Sequence, residues 1–355
     1  RWLRRHGEVA RVGVEGTGSY GAGLARYLTG EGVTVVEVNR PDRQRRRRRG
    51  KSDTVDAEAA ARAALNGDAT AAPKTGDGPV ESVRVLRLAR RSAIKARTQA
   101  ANQIRDLILT APDRLRSRLR DLGTDQRVAV CSRFRTADVA DPGEATKTAL
   151  RTLARRHEEL SAEIAVLDAH LAQLCATINP ALLAAHGVGP EVAATLLVAA
   201  GDNPHRMGSE AAFAALCGAS PVEASSGKVT RHRLNSGGDR QANNALWRIV
   251  LVRMSSDERT KVYVARRTLE GKSKKEIIRC LKRHVAREVF GLLTNPPAAV
   301  AGADLRATRL DAGLTLAAAA EALGTWPTRL SELERGVAHD AELSHRYQLW
   351  LHPNQ

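Results

Sequence analysis

Three carboxylates and one serine are the residues whose types and spacing suggest chemistry. Asp53 and Asp56 lie three residues apart in KSDTVDAEA, a segment that begins at Lys51 and follows the run Arg45, Arg46, Arg47, Arg48, Arg49 after Gly50. At i and i+3 two aspartates share one helix face. Carboxylates are the natural ligands of Mg²⁺ or Mn²⁺, and two such ions about 4 Å apart stabilise the attacking and leaving oxygens of phosphodiester chemistry. Glu15 closes the apolar stretch VARVGVE and is the third candidate ligand. Each has a plainer reading. Acids in a first helical turn complement its dipole and cap its free N–H groups, and an arginine run is ordinarily a solvated stretch. Ser226, in ASSG, reads by itself as a turn residue, with Ser225 as the neighbour to be distinguished from it.

The elements that would position these groups follow from periodicity. Residues 8–15 and 33–38 read as strands and 19–29 as a helix between them, a β-α-β unit whose strands run parallel. A helix begins at Asp53 and ends near Gly67, and 68–80 has the composition of a linker. A basic helix over 81–110 carries Arg84, Arg87 and Arg91. Leu150, Leu153, His157, Leu160, Ile164, Leu167, Leu171 and Leu174 alternate spacings of three and four, a coiled-coil or hairpin seam with His157 as a polar break. GVGP at 187–190 reads as a turn between helices and resembles a helix-hairpin-helix. A Gly-, Ser- and Arg-rich stretch at 218–241 contains Lys228, Arg231, His232, Arg233 and Arg240, with His232 read as a phosphate contact. Helices follow at 242–254, 259–270 and 274–294.

The chain of 355 residues has a formal charge of +17, 3% aromatics and 43% hydrophobic residues. A charge of that sign and size speaks of a polyanionic partner, nucleic acid foremost. No apolar run is long enough to span a bilayer, no signal peptide is visible, and the four cysteines form no C-x-x-C pair, which reads as a reduced, cytoplasmic protein. Residues 300–355 carry a net charge of −2, so the remainder holds +19, and the tail reads as a separate module.

GTGSYG at 16–21 also fits the dinucleotide-binding fingerprint, with Glu37 as its ribose acid. Against it, Glu15 would repel a pyrophosphate, and the basic helical remainder does not suit hydride chemistry.

VEGTGSY at 14–20 and KSDTVDA at 51–57 resemble two motifs of the DEDD insertion-sequence transposases, the "IS one-ten" family. GVGPEVAATLL at 187–197, AAFAALCGASPVEASSG at 211–227 and LNSGGDRQANNALWRIV at 234–250 resemble that family's second domain. The resemblance covers about residues 1–295. It implies a multidomain α/β plus all-α protein: a RuvC-like, RNase H-type domain at 1–75, a basic coiled-coil segment at 76–178, a helical serine-bearing transposase domain at 179–298 and a further module at 299–355. It implies Glu15, Asp53 and Asp56 as catalytic ligands of Mg²⁺ (or Mn²⁺) and Ser226 as a nucleophile that forms a covalent protein–DNA intermediate. It also implies DNA (element ends and target), a structured guide RNA and a homo-oligomer, dimer or tetramer, as partners. The family's first Asp precedes the Glu motif and has no counterpart here, so the resemblance leads one to expect an N-terminally truncated chain. Residues 305–336 resemble a Cro/repressor-type helix-turn-helix, with Thr315 as cap, Gly324 in the turn, and Thr328 and Arg329 toward a major groove. The alternatives carried forward are a non-catalytic nucleic-acid-binding relic and a dinucleotide-binding oxidoreductase.

Overall fold

Alternating Arg-Val-Gly-Val-Glu and the apolar Thr-Val-Val-Glu-Val form strands β1 (Arg11–Glu15) and β2 (Thr34–Val38), joined by helix α1 (Ala22–Gly30). The strands pair in parallel, Val14 opposite Glu37 and Glu15 opposite Val38, as the β-α-β pattern requires. Among the described residues they make a two-stranded sheet. The computed structural model describes residues 3–38, 52–135, 137–223, 225–227, 232, 233, 235, 237–296, 302–334 and 340–352. Arg45 to Arg49, Lys51, Lys228 and Arg231, all expected to contact nucleic acid, lie outside these residues.

Helix α2 (Asp53–Leu65) starts where Ser52 accepts a hydrogen bond from the Val55 amide. It lies against β1 at unusually close range. A Cβ built on Gly13 would sit 2.4 Å from the Ala60 carbonyl oxygen, so the strand must carry glycine here. Ala60 and Ala64 bury against Val36, Val38 and Ala69. The alanine-rich composition of this helix is therefore what lets it approach the sheet.

The chain divides into two compact units, Ser82–Ile178 and the remainder. In the first, α3 (Pro79–Thr110) supplies Ile104 and Ile108 to a core with α4 (Asp113–Leu119), α5 (Thr124–Cys131) and Leu150 and Ala154 of α6 (Pro142–Ile178). Along α6 the buried line runs through Leu150, Ala154, Ile164, Leu171 and Cys175, with His157 half-buried. The sequence seam is thus displaced by part of a turn: Leu153, Leu160, Leu167 and Leu174 flank the buried line and are half-buried. Arg90 pairs with Asp168 between α3 and α6.

In the second unit, the segment expected as a linker is an ordered strap. Glu37 N–H bonds the Ala71 carbonyl at 2.7 Å, Lys74 Nζ reaches the Val198 carbonyl at 2.5 Å, and Asp202 Oδ1 accepts the Val80 amide at 2.8 Å. Residues 68–80 are thereby bound to the end of α8 (Pro190–Ala200) and the turn after it. Helix α7 (Pro180–Ala184) precedes the GVGP turn, and α8 follows it with Pro190 in its first turn. Helix α8 is buried over most of its surface, which fits its almost uninterrupted apolar sequence. It packs with α10 (Arg240–Ser256), which in turn meets α12 (Lys274–Thr294); α9 (Glu210–Leu216) and α11 (Glu258–Leu269) complete the layer.

The tail has helices α13 (Gly302–Asp311), α14 (Leu316–Ala322), α15 (Pro327–Glu334) and α16 (Ala341–Leu351) around Leu305, Ala319, Leu330 and Tyr347. Thr315 caps α14 by accepting the Ala318 amide, and Gly324 turns the chain at φ +62°. At its centre the Arg309 guanidinium makes a two-point pair with Glu334, at 2.7 and 2.9 Å, while Tyr347 Oη donates to Glu334 Oε1 at 2.7 Å. Among the described residues no helix is long and apolar enough to cross a membrane.

Candidate nucleic-acid interface and serine hairpin

The stretch that reads in sequence as a Gly-, Ser- and Arg-rich loop is a hairpin. Strands β3 (Val222–Glu223) and β4 (His232–Arg233) pair antiparallel, Val222 opposite Arg233 and Glu223 opposite His232. Ser226 lies in their connection and is exposed, followed by Gly227 at φ +57°, a conformation that favours glycine.

The root of the hairpin is closed by close backbone packing. A Cβ on Gly238 would lie 2.3 Å from the Gly218 amide nitrogen, and Gly218 itself has φ +62°. Asp239 N–H bonds the Leu216 carbonyl at 2.6 Å, and its carboxylate caps α10 by accepting the Gln241 and Ala242 amides. Asn243, one turn into α10, donates from Nδ2 to the carbonyls of Cys217 and Gly218 at 2.8 and 3.1 Å. Its Oδ1 accepts from Lys282 Nζ at 3.0 Å. Burial first, and Arg279 second, hold the Lys282 pKa below the ordinary lysine value. Cys217, at the same root, is no rival nucleophile: burial, helped by Asp239, pushes its thiol up to about 12.

Beside this root lies a cavity of about 950 Å³ between α11, α12, β4 and residues 218–221. Arg233, Arg266, Arg267, Lys272, Arg279, Lys282 and Arg283 line it. Glu276 is the acid on its wall, and its carboxylate already accepts from the Ser273 amide and hydroxyl in the capping box of α12. Of the cations expected from the sequence, Arg233 is thus part of a basic cleft, and Arg240 opens α10, exposed. The helix at 274–294 was expected as a basic surface for nucleic acid; that Arg266 and Arg267 of α11 join it around one cleft was not.

The carboxylates occupy the other part of this unit. Glu15 ends β1 and is exposed, Asp53 opens α2 and is exposed, and Asp56 is half-buried one turn on. Among the described residues no three His, Cys, Asp or Glu side chains gather closely enough to hold a metal ion. The expected trio Glu15, Asp53 and Asp56 is accordingly not assembled into a metal centre. The donor chemistry nonetheless suits Mg²⁺, which needs only one or two carboxylates when phosphates and waters complete its shell; Asp53 and Asp56 supply that number from one helical turn.

Two further expectations need correction. Arg87 is buried, so only Arg84 and Arg91 of the three arginines expected on α3 are exposed. Glu37 is spent inside the protein: it accepts from Thr17 Oγ1 at 2.7 Å and faces the Arg206 guanidinium at 3.9 Å. It is therefore committed where a dinucleotide-binding reading would need it for a ribose. Arg206 also donates to the carbonyls of Ala72, Ala199 and Ala200. In the tail, Thr328 is exposed, whereas Arg329 is paired with Asp340 at 2.6 Å and Trp326 stands 77% exposed beside it.

Comparison with known proteins places this geometry in context. Residues 1–111 match the DEDD transposase domain of IS110 elements, and residues 179–265 match the transposase IS116/IS110/IS902 family. Over 196 residues the chain is 28% identical to the insertion element IS110 uncharacterized 43.6 kDa protein of Streptomyces coelicolor. That match covers 55% of this chain and 44% of the relative, so the chain spans less than half the relative's length.

Proposed function

We propose that this chain, which carries two IS110-family transposase domains, is the DNA transposase or recombinase of a mobile insertion sequence. The observation that carries the proposal is that the two matched segments contain, separately, the carboxylates of β1 and α2 and the hairpin that bears Ser226. In this reading Ser226 Oγ attacks a DNA phosphorus and the 3′ or 5′ oxygen of the broken strand leaves. The product is a phosphoserine ester that a second strand end later resolves. Asp53 and Asp56, with Glu15, are the residues that would hold a divalent cation. When bound, the cation supplies charge neutralisation at the phosphate. Within the chain itself, the clamp of Asn243 and Lys282 holds the hairpin root, and the cleft of α11 and α12 supplies positive potential beside it.

A structured guide RNA is the second polyanion this reading includes, bound along the exposed arginines of α3, Arg84 and Arg91 among them. The half-buried leucines of α6 suit a homo-oligomer, as cutting two DNA ends requires. The tail is read as a helix-turn-helix that presents Thr328 and Trp326. Its Arg329–Asp340 pair and net charge of −2 favour assistance to binding over DNA affinity of its own. The reading places the protein in the cytoplasm, on the nucleoid. One observation favours a second reading, nucleic-acid binding without cleavage: the three carboxylates are not gathered. Incubation of the full chain with element-end DNA, its RNA and Mg²⁺ separates the two. Strand cleavage that EDTA abolishes supports the transposase; salt-sensitive binding with no cleavage supports the relic.

A further inference from the structure

Three buried side-chain polar atoms among the described residues have no hydrogen-bond partner: Asn203 Oδ1, Arg267 Nε and Arg283 Nη1. Buried polar atoms are almost always satisfied, so each such atom asks for an explanation. Two of the three belong to guanidinium groups on one cavity wall, that between α11 and α12.

Both guanidinium groups are already fixed in place. Arg267 Nη1 donates to Glu270 Oε2 at 2.5 Å, and Arg283 Nη2 donates to Glu210 Oε1 at 3.1 Å. Tyr263 lies with its ring 5.9 Å from the Arg267 guanidinium and 5.4 Å from that of Arg266, and His284 braces the same ring edge-on at 5.7 Å. These anchors hold the two forks and leave one donor of each uncommitted. An acceptor bound here would therefore meet donors that pay little further ordering entropy. Seven cationic side chains line the cavity against the single carboxylate of Glu276, which its own helix cap engages. The acceptor is thus an anion, and guanidinium forks match the oxygens of a phosphate. One wall is the turn at 218–221, the root of the serine hairpin, and another is Arg233 of β4.

We propose that the cleft between α11 and α12 is a phosphate-binding subsite that seats a backbone phosphate of the DNA strand, with Arg267 Nε and Arg283 Nη1 as its donors. Tyr263 acts as a positioning residue that orients the arginines. The assignment of the strand to DNA rests on the reading of Ser226 as the nucleophile; the subsite itself rests on the two unpaired donors.

The test uses the full chain and single-stranded element-end DNA in fluorescence anisotropy. A set of oligonucleotides replaces one phosphate at a time with a neutral methylphosphonate. One or two positions should weaken wild-type binding about tenfold, the scale of a charge-assisted contact. In Arg267→Gln/Arg283→Gln that penalty should vanish and the slope of log K against log salt should shrink by about 0.7 per phosphate lost. Arg267→Lys/Arg283→Lys, which keeps the charge but not the fork, should keep the slope and lose the positional penalty. A wild-type scan with no sensitive position overturns the proposal even if the Gln variant fails to fold, and so does an equal penalty in a folded Gln variant. Sensitivity in an RNA of the same sequence but not in the DNA overturns the assignment to DNA. Pyrophosphate that raises the wild-type thermal midpoint, with no sensitive position in the scan, assigns the cleft to a free phosphate and overturns the strand assignment. Ser226→Ala should leave all of these binding effects intact, so loss of the nucleophile reading and loss of the subsite are told apart.

Discussion

Lys282, only 5% exposed, donates a hydrogen bond to Asn243 Oδ1 at 3.0 Å, and through Asn243 it holds the carbonyls of Cys217 and Gly218. One amide side chain thus satisfies a buried ammonium and two main-chain acceptors at the root of the hairpin that carries Ser226. Asn243→Ala would leave all three unpaired. It should cost about 2–4 kcal/mol in urea unfolding, the range for a broken buried contact to a charged group. Lys282→Met in the same background should recover part of that loss, because it removes the stranded charge while retaining the apolar stem. A double variant no more stable than Asn243→Ala would show that the ammonium is not what the amide satisfies.

Gly13→Ala tests the seat of the carboxylates. The added methyl meets the Ala60 carbonyl at 2.4 Å, so α2 must move off β1. About 1–3 kcal/mol of destabilisation is expected. Isothermal titration of Mn²⁺ in the presence of DNA should show weakened binding, since Asp53 and Asp56 ride on α2. Unchanged affinity with a displaced helix would detach metal binding from this packing.

His157 gives the helical unit a pH response. Burial first, then the nearby Arg97 of α3, lower its pKa, against smaller opposing effects of Asp125 on α5 and Glu158 on α6. Because the folded chain binds this proton less readily than the unfolded chain, stability is complete above the ordinary histidine pKa of about 6.5 and falls as pH drops below it. His157→Gln should flatten the fall in thermal midpoint between about pH 6.5 and 5. A fall of equal size in the variant would assign it to other groups.

The tail is held by a buried ion pair. Arg309 is 7% and Glu334 6% exposed, with Tyr347 fully buried against them. Burial alone would raise the Glu334 pKa, but the hydrogen bonds from Arg309 and Tyr347 outweigh it and the net shift is downward. That contribution is present above the ordinary carboxylate range and is lost as pH falls through the lowered value. Glu334→Ala strands the Arg309 charge and should cost about 3–5 kcal/mol, enough to unfold α13 to α16. Limited proteolysis should then cut within residues 302–352 while leaving residues 179–296 intact. A tail as resistant as wild type would place its stability in the apolar cluster instead.

Much of the element order was legible, and for identifiable reasons. Ser52, Thr315 and Pro190 mark helix starts with their own chemistry, and the parallel pairing of β1 and β2 follows from the crossover between them. The strap at 68–80 was not legible, because its anchors, Val198 and Asp202, lie more than a hundred residues away. The hairpin at 222–233 is held by two residue pairs and by the glycine contact of 218 with 238, too few strand residues to give an alternating pattern. Lys282 could have been found. It lies three, four and seven residues before Val285, Ala286 and Val289, the buried face of α12. The commitment of Glu37 to Thr17 and Arg206 had no local signal, since its partners lie 20 and 169 positions away.

The most direct measurement is denaturing electrophoresis of the full chain after reaction with labelled element-end DNA, its RNA and Mg²⁺. Wild type and Ser225→Ala should both yield a slow band that survives denaturation and disappears on protease treatment, while Ser226→Ala yields none and still binds DNA. A band that persists in Ser226→Ala, or that vanishes in Ser225→Ala alone, would contradict the assignment of Ser226 as the nucleophile.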